Sequence, residues 1–443
     1  MVIICAEIID RPKGIFHAEY GMRLERRNSL STIKHIPRGD LEQFVQIVAD
    51  AYPAMDLNSG DANRRTVDNL EQSYIEDQRQ LFGLYRDGSL LGGMFLYDFN
   101  MMIHADIVET GGIGLVAVHL LHKKEKVAKE LIDFALDYYR KRKAPLVSLY
   151  PFRPDFYKRM GFGYGPKISR YQALPSSLPR GGSKDNVQYL EESDGLKILK
   201  CYDQFARSTH GMILRNLKDT ERQLFKSGSK VLAYQEEESV RGYISYSFEK
   251  GKTFLENDLI VKELVADEPE VLNQLLTFLH TQLDQVRRIV FDLHDSDFHH
   301  LLADPRNGSG KIIPFVYHET NTQGMGLMYR VVDIPLMIES SKSRNFGDQT
   351  IILELKISDS FLPVNAGSYV MTYVGGSGSF TPDAVPEASI ELDIADFSSL
   401  LMGTVSFRSQ YMYGLAEISD PNYVSVVNEL FRVDKQPICM TQF

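Results

Sequence analysis

Between Gly112 and Gly165 the apolar positions change period three times. Ile113 to Val118 is a continuous apolar run rich in β-branched residues, which predicts a strand buried on both faces, and Gly111, Gly112 and Gly114 mark a bent or bulged start. After the basic loop His122-Lys123-Lys124-Glu125-Lys126, the residues Val127, Leu131, Phe134, Ala135 and Tyr138 recur at helical spacing for about three turns. Leu146 to Tyr150 then gives a second buried strand, followed by the aromatic turn Phe156-Tyr157-Lys158-Arg159-Met160-Gly161-Phe162.

The same alternation of periods extends on both sides. Upstream, a strand at Ile33 leads into a helix with Asp40 as its expected N-cap and Leu41, Phe44, Val45 and Val48 on one face. A second helix is expected around Val67 to Gln78. Leu81–Tyr85 and Leu90–Tyr97 form a hairpin turning at Asp87-Gly88. The cluster ALPSSLPRGGSKDN, Ala173 to Asn186, reads as a domain boundary. Beyond it the pattern repeats faintly: helices at Ile198–Ala206 and Thr220–Phe225, a hairpin from Val231 to Phe248 turning at Glu236-Glu237-Glu238, a strand Leu259–Val265, a helix Val271–Leu283 and a strand Ile289–Leu293. From Met328 the text becomes β-rich (Thr350–Ile357, Gly367–Val374), with short helices at Ile394–Met402 and Tyr423–Leu430.

These segments divide the chain into an N-terminal extension over residues 1–30, a first domain over 31–172, a linker over 173–186, a second domain over 187–330 and a third over 331–443. A length of 443 residues agrees with several cores. The net charge of −10 disfavours nucleic acid as principal partner and mildly favours cationic substrates. No apolar run is long enough to span a membrane. Cys5, Cys201 and Cys439 are far apart with no CxxC pair, which fits a reducing compartment, and the opening MVIICAEIID lacks the basic start of a signal peptide, so the cytoplasm is expected.

Chemistry concentrates where the strand ending at Val118 empties into a helix start. Unpaired backbone N–H groups, a partial positive charge and Lys123, Lys124, Lys126 and Lys129 suit a phosphate group, while the plainer reading is a solvated basic helix start. At the corresponding place in the second domain, Ala266-Asp267-Glu268-Pro269-Glu270 is anionic and would repel a pyrophosphate, so that domain reads as structural. Asp292 to His300 has the residue types of a metal site but no helical His spacing and reads as a surface loop capping the next helix; no metal is expected. Gly375-Gly376-Ser377-Gly378-Ser379 reads as a hairpin tip rather than a phosphate cradle.

The strand, loop, helix, strand and Phe156-Tyr157-Lys158-Arg159-Met160-Gly161-Phe162 turn resemble the GNAT superfamily of acyl-CoA-dependent N-acetyltransferases. In that family the strand matching Val116, Ala117 and Val118 pairs with pantetheine, and the loop R/Q-x-x-G-x-G/A wraps the pyrophosphate. Here the loop is Lys123-x-x-Lys126-x-Ala128, so lysine replaces the central glycine; either the ammonium substitutes charge for lost backbone contact or coenzyme binding is weakened. Leu120 stands where proline is usual.

Tandem GNAT domains followed by a sterol carrier protein-like α+β domain resemble, over nearly everything after residue 30, the enhanced intracellular survival (Eis) family. The resemblance implies an α/β (α+β) fold and acetyl transfer from acetyl-CoA to primary amines, aminoglycoside-like or lysine-like, by direct attack. It implies Tyr157 as general acid, the terminal carboxylate of Phe443 as general base, and coenzyme contacts at Val116, Ala117, Val118, Lys123, Lys124, Glu125, Lys126, Val127, Ala128, Lys129, Phe152 and Arg153. It also implies a homo-oligomer, a hexamer. The alternative is a catalytically silent GNAT-fold binding or scaffold protein whose first domain has decayed at Lys126.

Overall fold

The computed structural model describes residues 31–55, 57, 60–73, 79–225, 228–251, 253 and 256–443. The expected N-terminal extension, residues 1–30, lies outside the described residues. The first unit runs β1 (Thr32–His35), α1 (Leu41–Ala51), α2 (Gly60–Ser73), β2 (Arg79–Arg86), β3 (Ser89–Ile103), β4 (Asp106–Val118), α3 (Val127–Lys141), β5 (Leu146–Leu149), α4 (Pro154–Lys158) and β6 (Gly163–Tyr164). The β2–β3 turn has Asp87 and Gly88 both at positive φ, the geometry that matches strand twist in a two-residue hairpin. Two expectations change. Asp40 precedes α1 but makes no cap bond, because its carboxylate accepts from the Tyr85 hydroxyl at 2.8 Å. α2 begins earlier than the periodicity suggests, and residues 74–78 of the expected helix lie outside the described residues.

The second unit comprises β7 (Lys167–Ala173), β8 (Val187–Leu190), α5 (Gly195–Arg207), α6 (Leu217–Leu224), β9 (Ser229–Glu236), β10 (Ser239–Lys250), β11 (Asn257–Val265), α7 (Pro269–His280), β12 (Arg288–Leu293), the small hairpin β13 (Ile312–Ile313) and β14 (Tyr317–His318), β15 (Thr322–Met325) and β16 (Met328–Val331). The Pro-, Gly- and Ser-rich segment before β8 is tied down: Leu178 is buried in the second core, and its carbonyl meets the His280 imidazole at 2.9 Å.

Each of these two units centres on a seven-stranded sheet, and the second unit lends its last strand to the first sheet. The first has the order β1-β2-β3-β4-β5-β16-β6 and the second β15-β7-β12-β11-β10-β9-β8. β16, the last strand of the second unit, crosses to pair antiparallel with β5, while β7, which follows β6 directly, pairs antiparallel with β12. No single cut along the chain separates the two sheets.

The third unit contains α8 (Ile334–Glu339), β17 (Ile351–Ser358), β18 (Gly367–Val374), β19 (Ser377–Phe380), β20 (Ala388–Asp393), α9 (Ile394–Leu401), α10 (Phe407–Met412), β21 (Ala416–Ile418) and α11 (Val424–Leu430) around a five-stranded sheet. Gly375 and Gly376 form the β18–β19 turn at positive φ. The buried Arg330–Asp359 ion pair, 2.6 Å, fastens this unit to the first sheet through β16, and the Lys158–Asp396 contact fastens it to α4. After α11 the chain returns between the other two units: the Ile438 amide donates to the His210 carbonyl at 2.8 Å, and Cys439 and Thr441 are buried. Among the described residues, no helix is long and apolar enough to cross a membrane.

Candidate active site

β4 and β5 run parallel from Thr110 and Leu146 only as far as Ile113 and Leu149, and then part. At the same point β4 bulges against β3. Gly93 pairs with Ala117 but Phe95 with Gly114, and Leu115 takes φ +48. A bulge twists a strand away from its neighbour and frees backbone groups from the ladder. The expectation of a strand buried on both faces therefore fails at its end. Ile113 and Ala117 are buried, but Leu115, Val116 and Val118 are half-buried, because the face that β5 would cover is open. Sequence period could not show this, since the run is uniformly apolar.

Beyond β4, a short turn at Leu120–His122 leads to Lys124 and Lys126, both in the left-handed region at φ +67 and +66. Lys126, standing where the related loop has glycine, thus keeps a glycine-like backbone at a cost of roughly 1–2 kcal/mol. The amides of Lys126, Val127, Ala128 and Lys129 at the start of α3 have no acceptor among the described residues, so they form an N–H cluster suited to an oxyanion. Glu125 turns away from it: its carboxylate contacts His122 at 3.1 Å and Arg86 at 3.6 Å. Arg86, on the β2–β3 hairpin, also bonds the Glu125 carbonyl and the Glu130 carboxylate, and so fixes the loop. Neither periodicity nor motif pointed to this role.

Tyr157 sits on α4, whose first turn is set by Pro154, with its ring edge-on to Phe156 and Phe162. Only 7% of it is exposed, and its hydroxyl has no hydrogen-bond partner among the described residues. Burial, with a smaller contribution from nearby Tyr52, pushes this hydroxyl well above the ordinary phenol range, so it holds its proton. Tyr52, which sequence reasoning missed, follows α1 and donates to the Val116 carbonyl at 2.7 Å. Phe152 is exposed and meets Tyr52 edge-on at 5.7 Å. Arg153 is held by Asp155 at 2.7 Å, a surface pair that an incoming phosphate could outcompete.

Phe443 is anchored rather than frayed. Its ring lies 4.9 Å from Phe99, 5.3 Å from Tyr150 and 5.5 Å from Tyr97. Its carboxyl carbon rests against Gly114, where a Cβ would come within 3.3 Å of it. Thr441 fixes the approach: Arg215 Nε donates to its hydroxyl at 3.0 Å, and the Tyr150 hydroxyl donates to its carbonyl at 3.2 Å. Arg215 is itself held in a buried bidentate pair with Glu263 of β11, at 2.9 Å on each arm. Among the described residues no cation pairs with the Phe443 carboxylate. The residue borders a cleft of about 290 Å³ with Tyr97, Phe99, Arg79, Arg215 and Arg222.

The structure therefore brings Val116, Phe443 and the Tyr52–Tyr157 pair to the open end of β4, with the lysine loop beyond. The equivalent loop of the second unit differs. Glu268 precedes α7 and pairs with Arg241, and Pro269 removes one of the N–H groups. Asp292 is bound by Arg170 at 2.7 Å, His294 lies between the Lys167 and Cys439 carbonyls, and Asp297 makes no side-chain cap to the following turn.

Comparison with known proteins agrees with this anatomy. An acetyltransferase (GNAT) domain family matches residues 32–165, a second acetyltransferase (GNAT) domain family matches residues 207–331, and a sterol carrier protein domain family matches residues 340–440. No curated protein matches the chain in sequence. Among solved structures, a GCN5-related N-acetyltransferase from Anabaena variabilis superposes with a TM-score of 0.76 at 16% identity, covering 93% of this chain and 100% of that one. One from Kribbella flavida gives 0.76 at 18% identity, with 93% and 98% covered. Eis1 from Mycobacterium abscessus gives 0.72 at 19% identity, with 94% and 100% covered. Two GNAT acetyltransferase domains in tandem, followed by a sterol carrier protein domain, make this chain Eis-like in its domain architecture.

Proposed function

We propose that the chain transfers an acetyl group from acetyl-CoA to a primary amine at the open end of β4. The observation that carries the proposal is the Phe443 carboxyl carbon lying against Gly114 of β4, two residues before the Val116 carbonyl that Tyr52, the neighbour of buried Tyr157, bonds. Val116, Ala117 and Val118 would hold the pantetheine arm. Lys123, Lys124, Glu125, Lys126, Val127, Ala128 and Lys129 would surround the pyrophosphate, and Phe152 and Arg153 would flank it. The unpartnered amides at the start of α3 and the left-handed backbone of Lys126 fit such a group.

Bound acetyl-CoA supplies an activated acetyl group and a thiolate leaving group. The amine must lose a proton to attack, and the Phe443 carboxylate accepts it, directly or through water. The Tyr157 hydroxyl, kept protonated by burial, donates towards the departing sulfur. Aminoglycoside-like and lysine-like amines are the acceptor classes suggested by the resemblance. A hexamer located in the cytoplasm belongs to the same proposal. Ile312, Ile313, Phe315, Val316 and Tyr317 of the β13–β14 hairpin form an exposed apolar surface that a second copy would cover, and Cys201 and Cys439 are free thiols.

The test combines calorimetric titration of acetyl-CoA with thiol release over an amine panel. Binding abolished by Lys124→Glu with Lys126→Glu, and release lost in a chain lengthened by one residue past Phe443, is the expected result. Absence of acetyl-CoA binding would overturn the assignment in favour of a silent scaffold.

A further inference from the structure

The cleft beside Phe443 has a charge pattern opposite to that of the whole chain. The chain carries a net charge of −10, which favours cationic acceptors. Yet among the described residues of the cleft wall, Asp219 is the one carboxylate side chain, and Arg222 holds it at 2.6 Å. Arg215 is likewise neutralised by Glu263. Arg79 has no such partner: among the described residues no carboxylate pairs with it, and its Nε is buried without an acceptor.

Arg79 stands at the start of β2 with its guanidinium 5.7 Å from the centre of the Phe95 ring. Burial chiefly raises the Tyr97 hydroxyl on the same wall, and Arg79 and Arg222 act on it as cations and Asp219 as an anion, so all three lie near it. The first turn of α6, capped by Asn216, borders the cleft as well and adds partial positive charge. A guanidinium with no carboxylate partner among the described residues, beside apolar rings, costs free energy that an oxyanion recovers through paired N–H donors. A polycation would meet like charge there and a volume of only about 290 Å³.

We propose that the acceptor is a small amine carrying its own oxyanion, a carboxylate or a phosphate, which Arg79 receives while the amine faces Phe443. This rests on the acyl-transfer reading above and narrows it, setting aside polycationic acceptors.

The test uses the full chain and four probes: γ-aminobutyrate, O-phosphoethanolamine, γ-aminobutyramide and putrescine. One of the two anionic amines is expected to exceed both the amide and putrescine in kcat/KM by about ten- to a hundredfold, the worth of a charged hydrogen bond. Which of the two leads distinguishes carboxylate from phosphate. Arg79→Gln erases the preference and Arg79→Lys restores part of it, while acetyl-CoA titration stays as in the parent chain, which shows that the variants fold. Equal or better turnover of putrescine or the amide overturns the proposal. Should no amine release thiol, the acyl-transfer reading fails alone, and calorimetry with γ-aminobutyrate and with inorganic phosphate decides the cleft. Binding of either that Arg79→Gln removes sustains the oxyanion site, and no binding of either overturns it.

Discussion

The carboxyl carbon of Phe443 lies 3.3 Å from the point where a side chain on Gly114 would place its Cβ. The last residue of the chain is thus laid directly on the bulged strand, in a space that only glycine leaves open. A Cβ at this position would also come within 2.9 Å of the Tyr97 ring. Gly114→Ala is therefore expected to push the carboxylate out of place and lower kcat on the order of a hundredfold. Acetyl-CoA affinity, measured by calorimetry, should change little, because the lysine loop is untouched.

Tyr157→Phe removes a hydroxyl that has no hydrogen-bond partner among the described residues, so thermal stability should be unchanged. Turnover should fall by about a hundredfold or more, the usual worth of a positioned acid. Tyr52→Phe differs, because its hydroxyl bonds the Val116 carbonyl and its loss releases the end of β4. Stability should drop by about 1 kcal/mol, with KM for acetyl-CoA rising. Thermal denaturation and steady-state kinetics separate the two.

Lys126 takes φ +66 without being glycine. Lys126→Gly should stabilise the fold by about 1 kcal/mol by relieving that conformation. If the lysine contributes charge to the pyrophosphate site, the same substitution weakens acetyl-CoA binding while strengthening the fold, a combination that chemical denaturation and calorimetry would reveal together.

His104 and His210 stack at 4.3 Å where all three units meet, with a His210 ring nitrogen 3.1 Å from the Met402 carbonyl. Burial, with the neighbouring Arg344 charge, lowers His104 to about 3, and burial chiefly lowers His210 to about 4, from an ordinary 6.5. The unfolded chain therefore binds protons that the folded chain refuses. Stability is complete above pH 6.5 and is lost as pH falls towards 4. Urea titrations across that range should show the decline, and His104→Gln with His210→Gln should flatten it.

Much of this was legible in the residues. Helical and strand periods located α1, α3, α5 and α7 and the paired hairpins, and Asp87-Gly88 marked its turn, because local burial patterns carry that information. The resemblance led to Tyr157 and Phe443, which the fold places at one end of β4. What period cannot carry is partnership. The apolar texts of β7 and β16 do not say which sheet they join. Asp40 looked like a cap until Tyr85 claimed its carboxylate, and nothing in a lone tyrosine after α1 or a lone arginine at Arg79 or Arg86 announces contacts many residues away.

The position of β16 makes the first sheet depend on the second unit. Deleting the second unit, β7 to β16, would strip the first sheet of an interior strand and leave raw edges on β5 and β6 open to aggregation.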